Sequence, residues 1–212
     1  RRQRQMCIRD SLVNVDRQRL LKGDWDISEQ GELFKRETFN VVQSTAGING
    51  RRVRYWDRAA TDGGGDYTVG TLLCLSEDGK WYVEDVVRGQ WSPLQCERII
   101  AATASKDGFA IPIRMEQEPG SSGVDTIDGY RRRVLVGYNY DGIRSSGSKA
   151  ERATGLVSAA EAGNVHLQAA QWNTPWMDEF ELFPVGANDD QVDSCTGAFN
   201  YLTSMRMSRI IV

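Results

Sequence analysis

RRVRYWDRAA (51–60), followed by DYTVGTLLCLSEDGKWYVEDVVRGQW (66–91), decides the fold class. The second stretch holds two runs rich in Val, Leu, Tyr and Trp, split by SEDGK (76–80), a cluster of turn formers. Runs of that composition around such a break predict a β-hairpin. The first stretch reads as a strand ending near Asp57, so the three together predict an antiparallel meander of roughly five to eight residues per strand.

Working outward, Ser92-Pro93 begins a helix in which Leu94, Ile99 and Ile100 form an apolar face before a glycine stop at Gly108. FAIPIRMEQE (109–118) predicts a strand closed by Pro119, GSSGVDTIDGYRRRVL (120–135) a turn into a helix, and VLVGYNY (134–140) a further short strand. SSGSKAERATGLVSAAEAGNVHL (145–167) predicts a helix carrying Lys149 and Arg152 and a strand from Val165. NTPWMDEFELFP (173–184) and DDQVDSCTGAFNYLTSMR (189–206) predict two last helices. Residues 1 to 40 are polar, with a short helix, a turn at Gly23 and scattered aromatics, as in a connector or an edge element. Three strands followed by alternating helices and strands make an α/β protein.

The composition excludes several classes. The 212 residues suffice for a core without disulfides, and 40% hydrophobic with 26% charged residues is neither a disordered chain nor a coiled coil. Against 29 Asp+Glu stand 26 Lys+Arg, so any nucleic-acid contact must come from local basic patches, and histones and basic tails are excluded. Cys7, Cys74, Cys96 and Cys195 lie far apart and only His166 is available to join them, which argues against structural zinc and for a reducing, cytoplasmic compartment. No run approaches a membrane span, and the arginine-rich start has no apolar core after it. There is no Walker A or dinucleotide pattern; Gly63–Gly65 precede a strand instead of joining one to a helix.

Carboxylates stand where chemistry would need them. Asp57 ends an apolar strand, where a charge is costly unless paired, and a ligand is one such partner. Glu116 and Glu118 share a face if the strand runs through both. Asp190 and Asp193 lie one turn apart at the start of the last helix, where Asp189 suffices as the cap. An oxygen-only set with no His or Cys cluster suits a hard ion such as Mg2+ or Mn2+. Two such ions roughly 4 Å apart, if the sites converge, would support phosphodiester hydrolysis. Arg131, Arg132, Arg133, Arg144, Lys149 and Arg152 are the candidate phosphate contacts, and the Ser145–Ser148 loop is a candidate to follow a duplex groove.

YWDRAAT (55–61), GGDYTVG (64–70), IRMEQEPGSSG (113–123), GSKAERATGLVSAAEAGNV (147–165), WMDEFELFP (176–184) and NDDQVDSCTGAF (188–199), in that order, resemble the C-terminal nuclease domain of the large terminase subunit of tailed bacteriophages. LLKGDWDISEQGELF (20–34) resembles the segment joining the packaging ATPase to that nuclease. The resemblance implies a ribonuclease H-like mixed sheet of about five main strands flanked by helices. It implies a linker over 1–45, from an ATPase domain not in this chain, and a nuclease domain over 46–212. It also implies a divalent-metal-dependent endonuclease that cuts double-stranded viral DNA during genome packaging.

Carried over residue by residue, the resemblance makes Asp57 the first-strand ligand and Glu116 the second, with Glu118 as substitute. Asp190 is the third, with Asp193 an additional or alternative ligand. It gives Lys149 and Arg152 phosphate contacts. Asn188 stands where some relatives have histidine, leaving no protein general base. The implied partners are DNA, the ATPase domain, the portal and the small terminase subunit, at the viral prohead in the host cytoplasm. The competing expectations are a non-catalytic DNA-binding or motor-assembly module, and another ribonuclease H-like nuclease such as a junction resolvase.

Overall fold

A computed structural model of the chain describes residues 33–59 and 66–207. The expectations for the segment 20–32, for Cys7 and for Gly63–Gly65 lie outside the described residues. The elements in chain order are β1 (Phe39–Val42), β2 (Gly50–Asp57), β3 (Thr68–Ser76), β4 (Trp81–Gly89), α1 (Pro93–Asp107), β5 (Ile113–Gln117), α2 (Ser121–Gly129), β6 (Tyr140–Arg144), α3 (Lys149–Glu161), β7 (Val165–Gln168), α4 (Asn173–Leu182) and α5 (Asp190–Met207).

The strands form one seven-stranded mixed sheet in the order β1-β7-β4-β3-β2-β5-β6. The meander is present as expected: β2–β3 and β3–β4 are antiparallel, and the second pair turns at SEDGK. β5 and β6 add in parallel on one side, and β7 and β1 in parallel on the other. The five-stranded unit β4-β3-β2-β5-β6 is thus extended by two short strands. Within the segment expected as a connector or edge element, β1 is that edge strand, and Phe34 and Phe39 are buried with Trp176 and Phe180 of α4.

Strand parity assigns the two faces. Val53 and Tyr55 of β2 join the core under α3, α4 and α5, while Trp56, Ile113 and Met115 join the opposite core under α1 and α2. Asp57 therefore shares the α5 face with Tyr55, and Glu116 shares it with Arg114, whose guanidinium lies over the Tyr201 ring of α5. That helix can sit so close because residue 197 is glycine: a Cβ there would lie 2.3 Å from Tyr55 Cε1.

Two expectations are corrected. VLVGYNY is not a strand: its first residues close a π-helical turn over Tyr130–Val134 that continues α2, and the strand starts only at Tyr140. Leu135, the buried residue that follows this turn, packs into the core under α1 instead of alternating along a sheet, and Tyr140, in the same core, is already the first residue of β6, paired with Ile113. Leu94 is 57% exposed, because α1 turns Cys96, Ile100, Thr103 and Ala104 to the sheet.

Candidate active site

Asp57 is the last residue of β2, and Glu116 lies near the end of the parallel neighbour β5. The β2–β5 register runs Arg54↔Ile113 to Trp56↔Met115, and one further step sets Asp57 beside Glu116. The first turn of α5 brings Asp190 and Asp193 over these strand ends. Asp57, Glu116, Asp190 and Asp193 thus line one cleft of about 400 Å3, together with Glu118, Asp189, Asp66, Ser145, Lys149 and Arg152. Four acids separated by up to 136 positions converge.

The first turn of α5 is pinned from both sides. Ser194 Oγ donates to the Tyr55 carbonyl at 2.8 Å and accepts from Thr71 N–H at 3.1 Å, which ties the helix to β2 and β3. Glu179 of α4 accepts from Gln191 N–H at 2.6 Å and Gln191 Nε2 at 2.7 Å, with Arg88 at 3.3 Å. This buried carboxylate serves as the helix's anionic N-terminal partner. The Asp189 carboxylate, the expected cap, is bound by Lys149 instead. Sequence reading missed Glu179, although it lies within the quoted WMDEFELFP; nothing in that motif shows that its carboxylate meets the next helix. Glu179→Ala leaves the buried Gln191 N–H without its acceptor, while Gln191 Nε2 keeps only the Pro175 carbonyl, and the expected loss is about 1–3 kcal/mol, measurable by urea unfolding against Glu181→Ala.

Crowding sets the electrostatics. Burial, then the charges of Glu116, Asp193 and Asp190, push the Asp57 carboxyl well above the usual carboxylate range, opposed by Lys149. Burial also raises Asp190, to about 6, against a hydrogen bond from the Tyr67 backbone. The metal-free fold therefore holds a proton on Asp190 more tightly than the unfolded chain does. That contribution to stability is complete below about pH 4 and is lost as pH rises through about 6. Between pH 4 and 7 in EDTA, the melting temperature of Asp190→Asn should gain on that of the parent; parallel curves would refute the shift.

Two cations answer this charge. Lys149 Nζ lies 2.7 Å from both Asp189 and Asp193, and Arg152 reaches Asp193 at 2.8 Å and Glu116 at 3.5 Å. Burial works against the Lys149 charge, but the bonds to Asp189 and Asp193 outweigh it and raise its pKa. Among the described residues no three His, Cys, Asp or Glu side chains stand ready-spaced for an ion. Glu118 lies past the end of β5, with Arg58 at 4.0 Å, so it lines the cleft rim without continuing the strand face. Tyr55, not singled out in the sequence, reaches the site as well: burial, with Glu116 and Asp57 nearby, raises its hydroxyl pKa, and the hydroxyl hydrogen-bonds Ser145.

The remaining arginines divide. Arg144 lies on a groove beside the cleft. Arg131 pairs with Asp141 at 2.7 Å, Arg132 with Asp128 at 2.8 Å and Arg133 with Glu97 at 3.5 Å, and none of the three lines the cleft.

A mixed α/β sheet with four carboxylates meeting in a cleft at the ends of adjacent parallel strands defines the class as ribonuclease H-like. Residues 54–202 match the terminase RNaseH-like domain family, and the chain belongs to it. A search of curated proteins finds no match. Among solved structures, the large terminase nuclease of thermophilic phage G20c with bound zinc is similar at 17% identity and TM-score 0.57, over 80% of this chain and 98% of that one. The same nuclease with bound magnesium matches at 14% identity and TM-score 0.57, over 82% and 98%. The human cytomegalovirus terminase nuclease domain, manganese-soaked and inhibitor-bound, matches at 10% identity and TM-score 0.51, over 75% and 86%. At these identities the likeness concerns the fold. Among the described residues no helix is long and apolar enough to cross a membrane.

Proposed function

We propose that this domain is a divalent-metal-dependent endonuclease that hydrolyses double-stranded viral DNA during genome packaging. The observation that carries it is the meeting of Asp57, Glu116, Asp190 and Asp193 in one cleft with Lys149 and Arg152 at its edge. The donor set fits Mg2+ or Mn2+: all oxygen, anionic, and crowded enough to raise Asp57. Asp57, Glu116 and Asp190 would hold the ions, a charge suited to two of them, with Asp193 as an additional ligand and Glu118 as the rim alternative to Glu116. The bound metal supplies an activated water and charge stabilisation at the phosphate.

The chain's own part is orientation. Ser194 and Glu179 hold the acids of α5 in place, and Lys149 and Arg152, exchanging carboxylates for phosphate, bind the backbone as it enters. Arg131, Arg132 and Arg144 are the outer DNA contacts in this reading, and residues 1–45 are the linker from an ATPase domain. The motor's portal and small subunit are the further partners, at the prohead in the host cytoplasm. The ion pairs of Lys149 and Arg152 favour one other reading, a DNA-binding or motor-assembly module whose acids are neutralised from within.

Supercoiled plasmid incubated with the protein in EDTA, Mg2+ or Mn2+ separates the two. Nicking and linearisation with metal alone is the expected result; folded protein that binds DNA but never cuts it would favour the module.

A further inference from the structure

Beside the cleft runs a groove of about 290 Å3 between α5 and the end of β6. It shares Glu116, Ser145, Arg152 and Asp193 with the cleft, so the two depressions are continuous. Away from that shared end its lining changes character: Arg144 and Ser146 on one side, Thr196, Asn200 and Ser204 at four-residue spacing along α5 on the other. No carboxylate lies on this part.

Two features of this lining call for a ligand. The Arg144 side chain makes no ion pair or hydrogen bond with the described residues, unlike those of Arg131, Arg132 and Arg152. Thr196 is 2% exposed, and its hydroxyl has no hydrogen-bond partner. Helical threonines ordinarily return the hydroxyl to a carbonyl one turn back, and a buried polar group left unpaired is destabilising. An arginine, hydroxyls and the Asn200 amide, without a carboxylate, suit a phosphodiester and its sugar. The volume is at the small end for ligand sites, about 300 Å3 and upward, which suits the sugar–phosphate chain of one strand.

We propose that this groove is the subsite for a single strand of the DNA next to the cut phosphate, with Arg144 on the neighbouring phosphate and the α5 hydroxyls along the sugar–phosphate chain. It rests on the nuclease reading. The cut strand enters over Lys149 and leaves along α5, and the complementary strand stays outside.

The test uses the full chain carrying Asp57→Asn, so that DNA binds without being cut, and a labelled duplex followed by fluorescence anisotropy across a salt series. Arg144→Gln should weaken binding about five- to tenfold at 0.1 M salt and lower the log–log salt slope by about one phosphate's share. Thr196→Val, nearly isosteric, should weaken binding about threefold while leaving the melting temperature unchanged or higher, because the hydroxyl has no partner inside the protein. In cutting-competent protein both changes should raise KM and spare kcat. Unaltered affinity and salt slope in both variants, with cleavage by the parent intact, would overturn the groove alone. Folded parent that neither binds nor cuts DNA would overturn the groove and the nuclease reading together.

Discussion

Asp57→Asn should lower metal-dependent cleavage at least about a thousandfold, the roughly 4 kcal/mol that metal-centred charge stabilisation supplies, and should raise the melting temperature of the metal-free protein. Both effects follow from one observation. Asp57 is buried among Glu116, Asp193 and Asp190, which push its pKa up, so the folded state resists its charge. Its folded pKa exceeds the unfolded one; the associated stability is present below the unfolded pKa and lost as pH rises through the folded value. Asparagine of the same shape carries no charge and so removes the penalty that burial and the neighbouring carboxylates set on Asp57. A gain of 1 kcal/mol would appear as roughly 2–4 °C in a chain of this size. Glu116→Gln and Asp190→Asn should share the loss of cleavage. A variant that melts higher yet cuts at the wild-type rate would remove Asp57 from the reaction; one that melts lower would show its charge to be structural. Manganese should raise the melting temperature of the parent far more than that of Asp57→Asn, by ordinary linkage.

Arg54→Met should destabilise the domain by about 3–5 kcal/mol, the cost of breaking a buried ion pair from one side. Arg54 is fully buried on the α1 face of β2; Nε and Nη2 reach Asp107 at 2.7 and 2.9 Å, Nη2 reaches Asp85 at 2.7 Å, and Nη1 donates to the Gly70 carbonyl at 2.9 Å. It fastens the end of α1 to the middle of the sheet, three residues before Asp57. Methionine fills the volume but strands the buried Asp107 carboxylate, whose ion pair is with Arg54. Arg54→Met with Asp107→Leu should recover most of the loss, since Asp85 keeps Lys106 at 3.5 Å. Denaturant midpoints of the three proteins measure this, and equal midpoints for single and double variants would show that charge stranding is not the cause.

Arg54 also marks a limit of reading one residue at a time. In RRVRYWD it is an arginine between apolar neighbours, and alternation places it opposite Tyr55, on a face that holds Trp56. Only the packed α1 shows its partner at position 107. Glu179 is similar: an acid in a helix whose function lies in the first turn of another helix.

The meander, the Ser92-Pro93 helix start, and the ends of β2 and α5 were legible because period-two alternation, turn residues and helix-start residues act over a few positions. The 134–140 segment was misread because Val, Leu and Tyr suit a strand and a buried turn equally, and its contacts with α1 decide between them. From local chemistry the sequence alone determined which acids stand at strand and helix ends, and its ordered motifs pointed to the family. The tertiary structure decided that Asp57, Glu116, Asp190 and Asp193 share one cleft, that Lys149 and Arg152 hold its charge, and that Arg131–Arg133 pair elsewhere. Convergence depends on parallel pairing of β2 with β5 and on α5 crossing above them, contacts between residues far apart in the chain, and no local pattern encodes which distant partners meet.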